Sequence, residues 1–204
     1  NDHIRAGAPA PGVPKQTPLR VPRLLGSVRG PGAGGPTLVC TAGIHGNEPS
    51  GIIALRRVLA TLGRDPTGLV GQLIGFSGNR GALNENVRYR MLDMNRAWSP
   101  EILERIRAKN PADLRDEEIE IWELDEALAD VIGETDCLLD LHSTSGPGKP
   151  FVTMDDTLRN RYFARALPVP RVLGLEEELA GTLTGYIISK RSEERRVGKE
   201  CRSR

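Results

Sequence analysis

PTLVCTAGIHGNEPSGIIALRRVLATLG, Pro36 to Gly63, decides the fold. Its opening, Pro36 to Gly43, is a short apolar run bounded by Pro and Gly, the pattern of a strand buried on both faces. The polar loop around His45 then interrupts it. Pro49 suits the first turn of a helix in which Ile52, Ile53, Leu55, Leu59 and Leu62 recur at helical spacing, with Gly63 as the stop signal. The spacing predicts strand, loop, helix. The loop carries one of only three histidines in the chain, three residues before Glu48.

Outward from this unit the alternation continues. LVGQLIGFSGNR, Leu69 to Arg80, reads as a second strand ending in a polar loop. PEILERIRAK and DEEIEIWELDEALADVIG carry helical periodicity, and the acidic run from Asp116 to Glu120 is predicted to be a solvated helix face without a function. Asp136 to Leu141 is a further apolar strand that runs into a Ser/Thr/Gly/Pro loop. After it come FVTM, a helix near Thr157 to Leu167, PVPRVLGL, a charged helix entrance at Glu176, Glu177 and Glu178, and the apolar GTLTGYIIS. Strands alternating with helices predict an α/β fold with a mixed, largely parallel sheet flanked by helices.

At 204 residues with 38% hydrophobic content, the chain can bury one sizeable core. One principal domain is expected over residues 35–190, after a Pro-, Ala- and Gly-rich lead-in, 1–34, that is partly flexible. No run approaches the roughly 20 apolar residues of a membrane-spanning helix. Cys40, Cys137 and Cys201 are scattered and odd in number, which argues against a disulfide scaffold and for a reducing, cytoplasmic setting. RSEERRVGKECRSR, Arg191 to Arg204, abandons the preceding periodicity. It reads as a solvated basic tail or, residue for residue, as the translation of a DNA sequencing-library adapter, and the second reading is adopted. These residues hold six basic and three acidic side chains, so setting them aside turns the formal charge of +1 slightly acidic. Neither a nucleic-acid partner nor a membrane partner is expected.

Two strand ends carry the chemistry. His45 and Glu48 follow the first strand, and His142 follows the strand ending at Leu141. In open α/β sheets the loops beyond the carboxyl ends of the strands line the ligand crevice. Two histidines and a carboxylate are the protein ligands of a catalytic zinc site that keeps a position open for water or substrate. Other readings stand beside this one: an H-x-x-E pair arises by chance, and Glu48 suits a helix N-terminus. Asp140, two residues before His142, shares its strand face and could orient a ligand imidazole or satisfy a buried turn.

GIHGNEPSG, GNRGAL, DMNRAW and DLHSTSGP, in that order from about Gly35 to Ser189, resemble the motifs of the succinylglutamate desuccinylase/aspartoacylase family, relatives of the zinc carboxypeptidases. The resemblance implies a zinc carboxypeptidase-like catalytic domain, incomplete at its C-terminus, with one Zn2+ held by His45, Glu48 and His142. It implies that Arg80 polarises the scissile carbonyl and that Asn95 and Arg96 grip a substrate carboxylate. Arg80 reads equally as a surface arginine, and Arg96 as the ion-pair partner of Asp93. The activity implied is zinc-dependent deacylation of an N-acyl amino acid or a related small molecule. A carboxypeptidase-like peptidase and a metal-binding module without turnover remain alternatives, and His/His/Glu also accepts other first-row ions.

Two departures qualify the resemblance. Arg90 and Leu92 in RYRMLDMNR differ from the family's more usual residues. The family's general-base glutamate, on a strand with a V-E-x-G-like context, has no counterpart here, so the reading frame is expected to be cut short before it. Proton transfer should then be impaired by about 10²–10⁴-fold.

Overall fold

A computed structural model of the chain describes residues 20–32, 34–133, 136–144, 146–175 and 179–190. The lead-in up to residue 19, the basic tail and Glu176, Glu177 and Glu178 lie outside the described residues. The elements run β1 (Leu24–Arg29), β2 (Thr37–Ala42), α1 (Ser50–Arg64), β3 (Gln72–Ser77), α2 (Arg80–Glu85), a 3-10 turn (Met94–Arg96), α3 (Pro100–Arg107), a second 3-10 turn (Pro111–Asp113), α4 (Glu117–Ala129), β4 (Cys137–Leu141), β5 (Val152–Met154), α5 (Leu158–Ala164) and β6 (Arg171–Leu173). Residues 183–190 are helical. Among the described residues no helix is long and apolar enough to cross a membrane.

The main sheet has the order β1-β3-β2-β4. β2 pairs in parallel with both β3 and β4, while β1 runs antiparallel to β3. The sheet is thus mixed and largely parallel, as the alternation predicts. β1 was not legible because LLGSVR has a half-exposed, irregular pattern with a register shift between Leu24 and Gly26. A separate pair, β5 and β6, is also parallel.

Alternation along the strands divides the core into two layers. Val39, Ile74 and Phe76 face one side, where they meet Leu103 and Ile106 of α3, Ile121, Leu124 and Leu128 of α4, and Leu183, Tyr186 and Ile187 of the helical segment 183–190. Cys40, Ala42 and Leu73 face the other, against Ile52, Leu55 and Leu59 of α1. The predicted helix after the histidine loop is present, but Pro49 precedes its first residue and Gly63 lies inside it, one residue before the end. Packing of the apolar stripe on the sheet carries the helix past the glycine. Gly181 is required by geometry: its φ is +76°, and a Cβ there would lie 2.5 Å from the carbonyl oxygen of Arg96. The 179–182 turn therefore sits directly on the Met94–Arg96 turn, and the Trp98 N–H donates to the Gly181 carbonyl at 3.1 Å.

One expectation is corrected by α4. Its acidic run is not a solvated face: Glu117 is 1% and Glu120 8% exposed. Glu117 accepts from the Asn79 side-chain amide and from three backbone N–H groups, while Glu120 accepts from Arg23, Arg80 and Gly81. These donors lie far away in sequence, so local periodicity could not reveal them. Burial by itself would raise the Glu117 pKa, yet the donated N–H groups hold it below its ordinary value of 4.5. A carboxyl depressed on folding stabilises the native state fully above its unfolded pKa and loses that contribution as pH falls through the folded value. Urea unfolding is expected to show this contribution undiminished from pH 7 to about 5, then declining. The acid decline should be shallower in Glu117→Gln, and an identical decline in both proteins would refute the assignment.

Candidate metal centre

The parallel register of β2 and β4 sets Ala42 opposite Leu141. Both strands end there, so His142, one residue on, and His45, three residues on, leave the same edge of the sheet. The HGNE segment folds into a tight turn in which the Glu48 N–H donates to the His45 carbonyl at 3.1 Å. Gly46 allows it: a Cβ at this position would lie 2.1 Å from the backbone carbon of Ala82 in α2. The Gly46 N–H donates to the carbonyl of Arg88 at 3.0 Å, which ties the histidine turn to the loop after α2.

Within this frame Glu48 bridges the two imidazoles. Its Oε1 lies 3.0 Å from His45 Nδ1 and its Oε2 3.2 Å from His142 Nδ1, and Oε2 also accepts from the Ser143 N–H at 2.8 Å. His45, Glu48 and His142 each offer one ligand atom, and these atoms all lie within 4.8 Å of one another. The opposite nitrogen of each ring meets a carboxylate. His45 Nε2 lies 3.2 Å from Asp93 Oδ1, and His142 Nε2 lies 2.8 Å from Asp140 Oδ2. Asp140 is itself fixed by the buried Thr41 hydroxyl, which donates to Oδ1 at 2.6 Å. Such outer carboxylates fix the tautomer and orientation of a metal-ligating imidazole.

Charge is concentrated accordingly. Burial opposes ionisation of Glu48, but hydrogen bonds from His142, His45 and the Ser143 N–H hold its carboxyl far below the usual carboxylate range. Burial would lower the His142 pKa, yet Asp140 and Glu48 push it up to about 10. His45 is raised against burial by Asp93 and Glu48. Arg88 stands at the rim, its guanidinium 3.6 Å from both Glu48 Oε1 and Asp93 Oδ2. Three carboxylates (Glu48, Asp93, Asp140) thus surround the two rings, and Arg88 pairs with only the first two, so the carboxylates favour positive charge at the centre. That balance and the two-nitrogen, one-oxygen donor set fit a divalent first-row cation.

The predicted site residues divide. His45, Glu48 and His142 converge. Asn95 and Arg96 stand on the 3-10 turn capped by Asp93, whose Oδ1 accepts from the Asn95 N–H at 2.9 Å. Arg96 is exposed and donates to the Asn95 carbonyl at 2.7 Å. Arg80 opens α2 rather than ending a strand, and its guanidinium is held by Glu120 and Glu123 of α4 instead of reaching the histidines. Two residues at the centre were missed as site groups: Arg88, and Asp93 as the partner of His45. Both lie in an irregular loop with no periodicity to orient them. The available signal was position, since both fall between the GNRGAL and DMNRAW motifs or within the latter.

The sequence profile of the succinylglutamate desuccinylase/aspartoacylase catalytic domain matches residues 34–176. No curated protein has significant sequence similarity to the chain. Among solved structures, an aspartoacylase family protein from Mesorhizobium loti is similar at a TM-score of 0.60 and 22% identity, over 80% of this chain and 51% of that one. The product-bound ectoine utilization protein of Ruegeria pomeroyi matches at 0.57 and 23%, over 81% and 49%. Succinylglutamate desuccinylase from Vibrio cholerae matches at 0.56 and 16%, over 74% and 45%. The chain spans about half the length of these structures.

Removing the hydrogen-bonding carboxylate behind His142 tests the centre directly. Asp140→Asn is expected to weaken Zn2+ binding by about 10–100-fold, measured by competition with a chromophoric chelator. Unchanged affinity would show that Asp140 serves Thr41 alone.

Proposed function

Because the chain belongs to the succinylglutamate desuccinylase/aspartoacylase family, we propose that it is a zinc-dependent hydrolase that releases the acyl group from an N-acyl amino acid or a related small substrate. The family is one of deacylase-type hydrolases. The observation that carries the reading for this chain is the convergence of His45, Glu48 and His142, each imidazole backed by its own carboxylate. His45, Glu48 and His142 would hold the zinc ion, which would supply Lewis-acid chemistry there.

The protein groups divide the remaining work. Asp93 and Asp140 hold the rings so that both Nδ1 atoms point inward. Arg88, exposed on one side and anchored electrostatically by Glu48 and Asp93 on the other, is placed to donate hydrogen bonds to a carbonyl oxygen as negative charge grows on it. We assign to Arg88 the role that the sequence suggested for Arg80, whose guanidinium is already occupied on α4. Arg96, beside Asn95, presents a planar fork suited to a substrate carboxylate. A cytoplasmic setting belongs to the same reading, supported by Cys40 and Cys137 being free thiols.

Metal analysis is expected to find one Zn2+ per chain, with uptake lost in His142→Ala. The zinc-loaded protein should hydrolyse N-acyl amino acids in preference to peptides with a free C-terminus. The reverse preference would make it a peptidase, and bound zinc without turnover of either substrate would make it a binding module. Arg88→Ala should lower kcat by about 10²–10³-fold. Arg80→Ala should leave kcat within about threefold while lowering the urea midpoint, because buried Glu120 loses one of its two guanidinium partners. Equal kinetic losses in the two variants would defeat the assignment of Arg88.

A further inference from the structure

The loop that carries Arg88, Asp93, Asn95 and Arg96 has no regular secondary structure between Glu85 and the turn at Met94, yet its side chains must be held to a fraction of an ångström if they serve a substrate. What fixes it is a buried carboxylate. Glu117, the first residue of α4, directs Oε1 at the Arg90 N–H, 2.6 Å, and at the Asn79 side-chain amide, 3.0 Å. Its Oε2 takes the Met91 N–H at 3.0 Å and the Leu92 N–H at 3.1 Å. All four lone-pair positions of the carboxylate are thereby filled by N–H donors, three of them from consecutive residues. The guanidinium of the clamped segment does not share this role, because Arg90 pairs with Glu85 at 3.0 Å and Asp116 at 2.5 Å.

We propose that Glu117 is a positioning residue for the site: by clamping the backbone of residues 90–92 it sets Arg88 on one flank and Asp93, Asn95 and Arg96 on the other. The inference rests on the hydrolase reading for its kinetic consequence, while the clamp itself stands on the geometry. The clamped residues are the midpoint of the loop. Two residues upstream, the Arg88 carbonyl accepts from Gly46, and one residue downstream Asp93 reaches His45. Both flanks of the loop are thereby tied to the histidine turn, where Arg88 also pairs with Glu48, and the Arg90 side chain adds ion pairs to Glu85 and Asp116. Glu117 takes hold of the backbone at the middle of the loop from α4, whose Ile121, Leu124 and Leu128 are fully buried in the core. Asn79 couples the clamp to α2, since its amide donates to Glu117 while its Oδ1 caps the helix at the Ala82 N–H, 3.0 Å.

A glutamine at this position retains the length but turns an NH2 group toward two N–H donors, so one half of the clamp becomes repulsive. In the zinc-loaded full chain, Glu117→Gln is expected to speed hydrogen exchange at the amides of Arg90, Met91 and Leu92 by at least about tenfold while β2 and β3 keep their protection. Zinc content should stay at one per chain. For an N-acyl amino acid, kcat/KM should fall by about 10²-fold, with KM rising as well as kcat falling, because both Arg88 and Asn95–Arg96 shift. Glu117→Asp, which keeps the acceptors but withdraws them by one methylene, should give smaller changes of the same kind and serves if the glutamine variant does not fold. Unchanged exchange at residues 90–92, exchange accelerated throughout the core, or a freed loop with unaltered kinetic constants would each overturn the proposal. If the wild-type chain hydrolyses no N-acyl amino acid, the hydrolase reading fails on its own, and local exchange still decides whether Glu117 holds the loop.

Discussion

The parallel pairing of β2 with β4, in the register that sets Ala42 against Leu141, is the constraint on which the site depends. The two histidines are 97 positions apart in the chain and approach to a ring separation of 5.0 Å only because two strands end side by side. A one-residue slip would send every side chain of β4 to the opposite face. It would remove Leu138 from the layer that holds α4, and Leu139 and Leu141 from the layer that holds α1. Hydrophobic burial thus fixes the register, and the register fixes the donor set.

Around this edge the protein uses carboxylates in two distinct ways. Glu48, Asp93 and Asp140 gather negative charge next to imidazoles, which favours a cation. The carboxylates of α4 are structural connectors. Glu117 takes backbone amides, Glu120 joins Arg23 to Arg80, and Asp125 receives Arg107 together with the Tyr186 hydroxyl at 3.3 Å. Through Asp125 the helical segment 183–190 is joined to α3 and α4, and through Gly181 the turn before it rests on Arg96. A buried carboxylate without such donors would carry a large desolvation penalty. Each of these instead meets donors from other segments, which specifies one arrangement of the neighbouring loops.

Two arginines show why identity and place differ. Arg80 follows a strand by three residues and has the chemistry expected of an oxyanion-stabilising group, but α4 presents it with two glutamates. Arg88 lies in a loop with no recognisable pattern, and the Gly46 contact brings that loop to the histidine turn. Coulombic attraction assigns both guanidinium groups, and it acts through partners contributed by other segments.

The sequence by itself determined the α/β alternation, β2, α1, β3 and β4, and the candidacy of His45, Glu48 and His142, because hydrophobic period and strand-end position are local properties carried by neighbouring residues. It also supplied the ordered motifs that point to the family. Tertiary structure alone decided that β1 joins the sheet, that the acidic start of α4 is buried, and that Arg88 rather than Arg80 stands beside the histidines. Those outcomes depend on hydrogen bonds and ion pairs between residues tens of positions apart. No local pattern encodes which of several equivalent charges will find a partner once the sheet has closed around them.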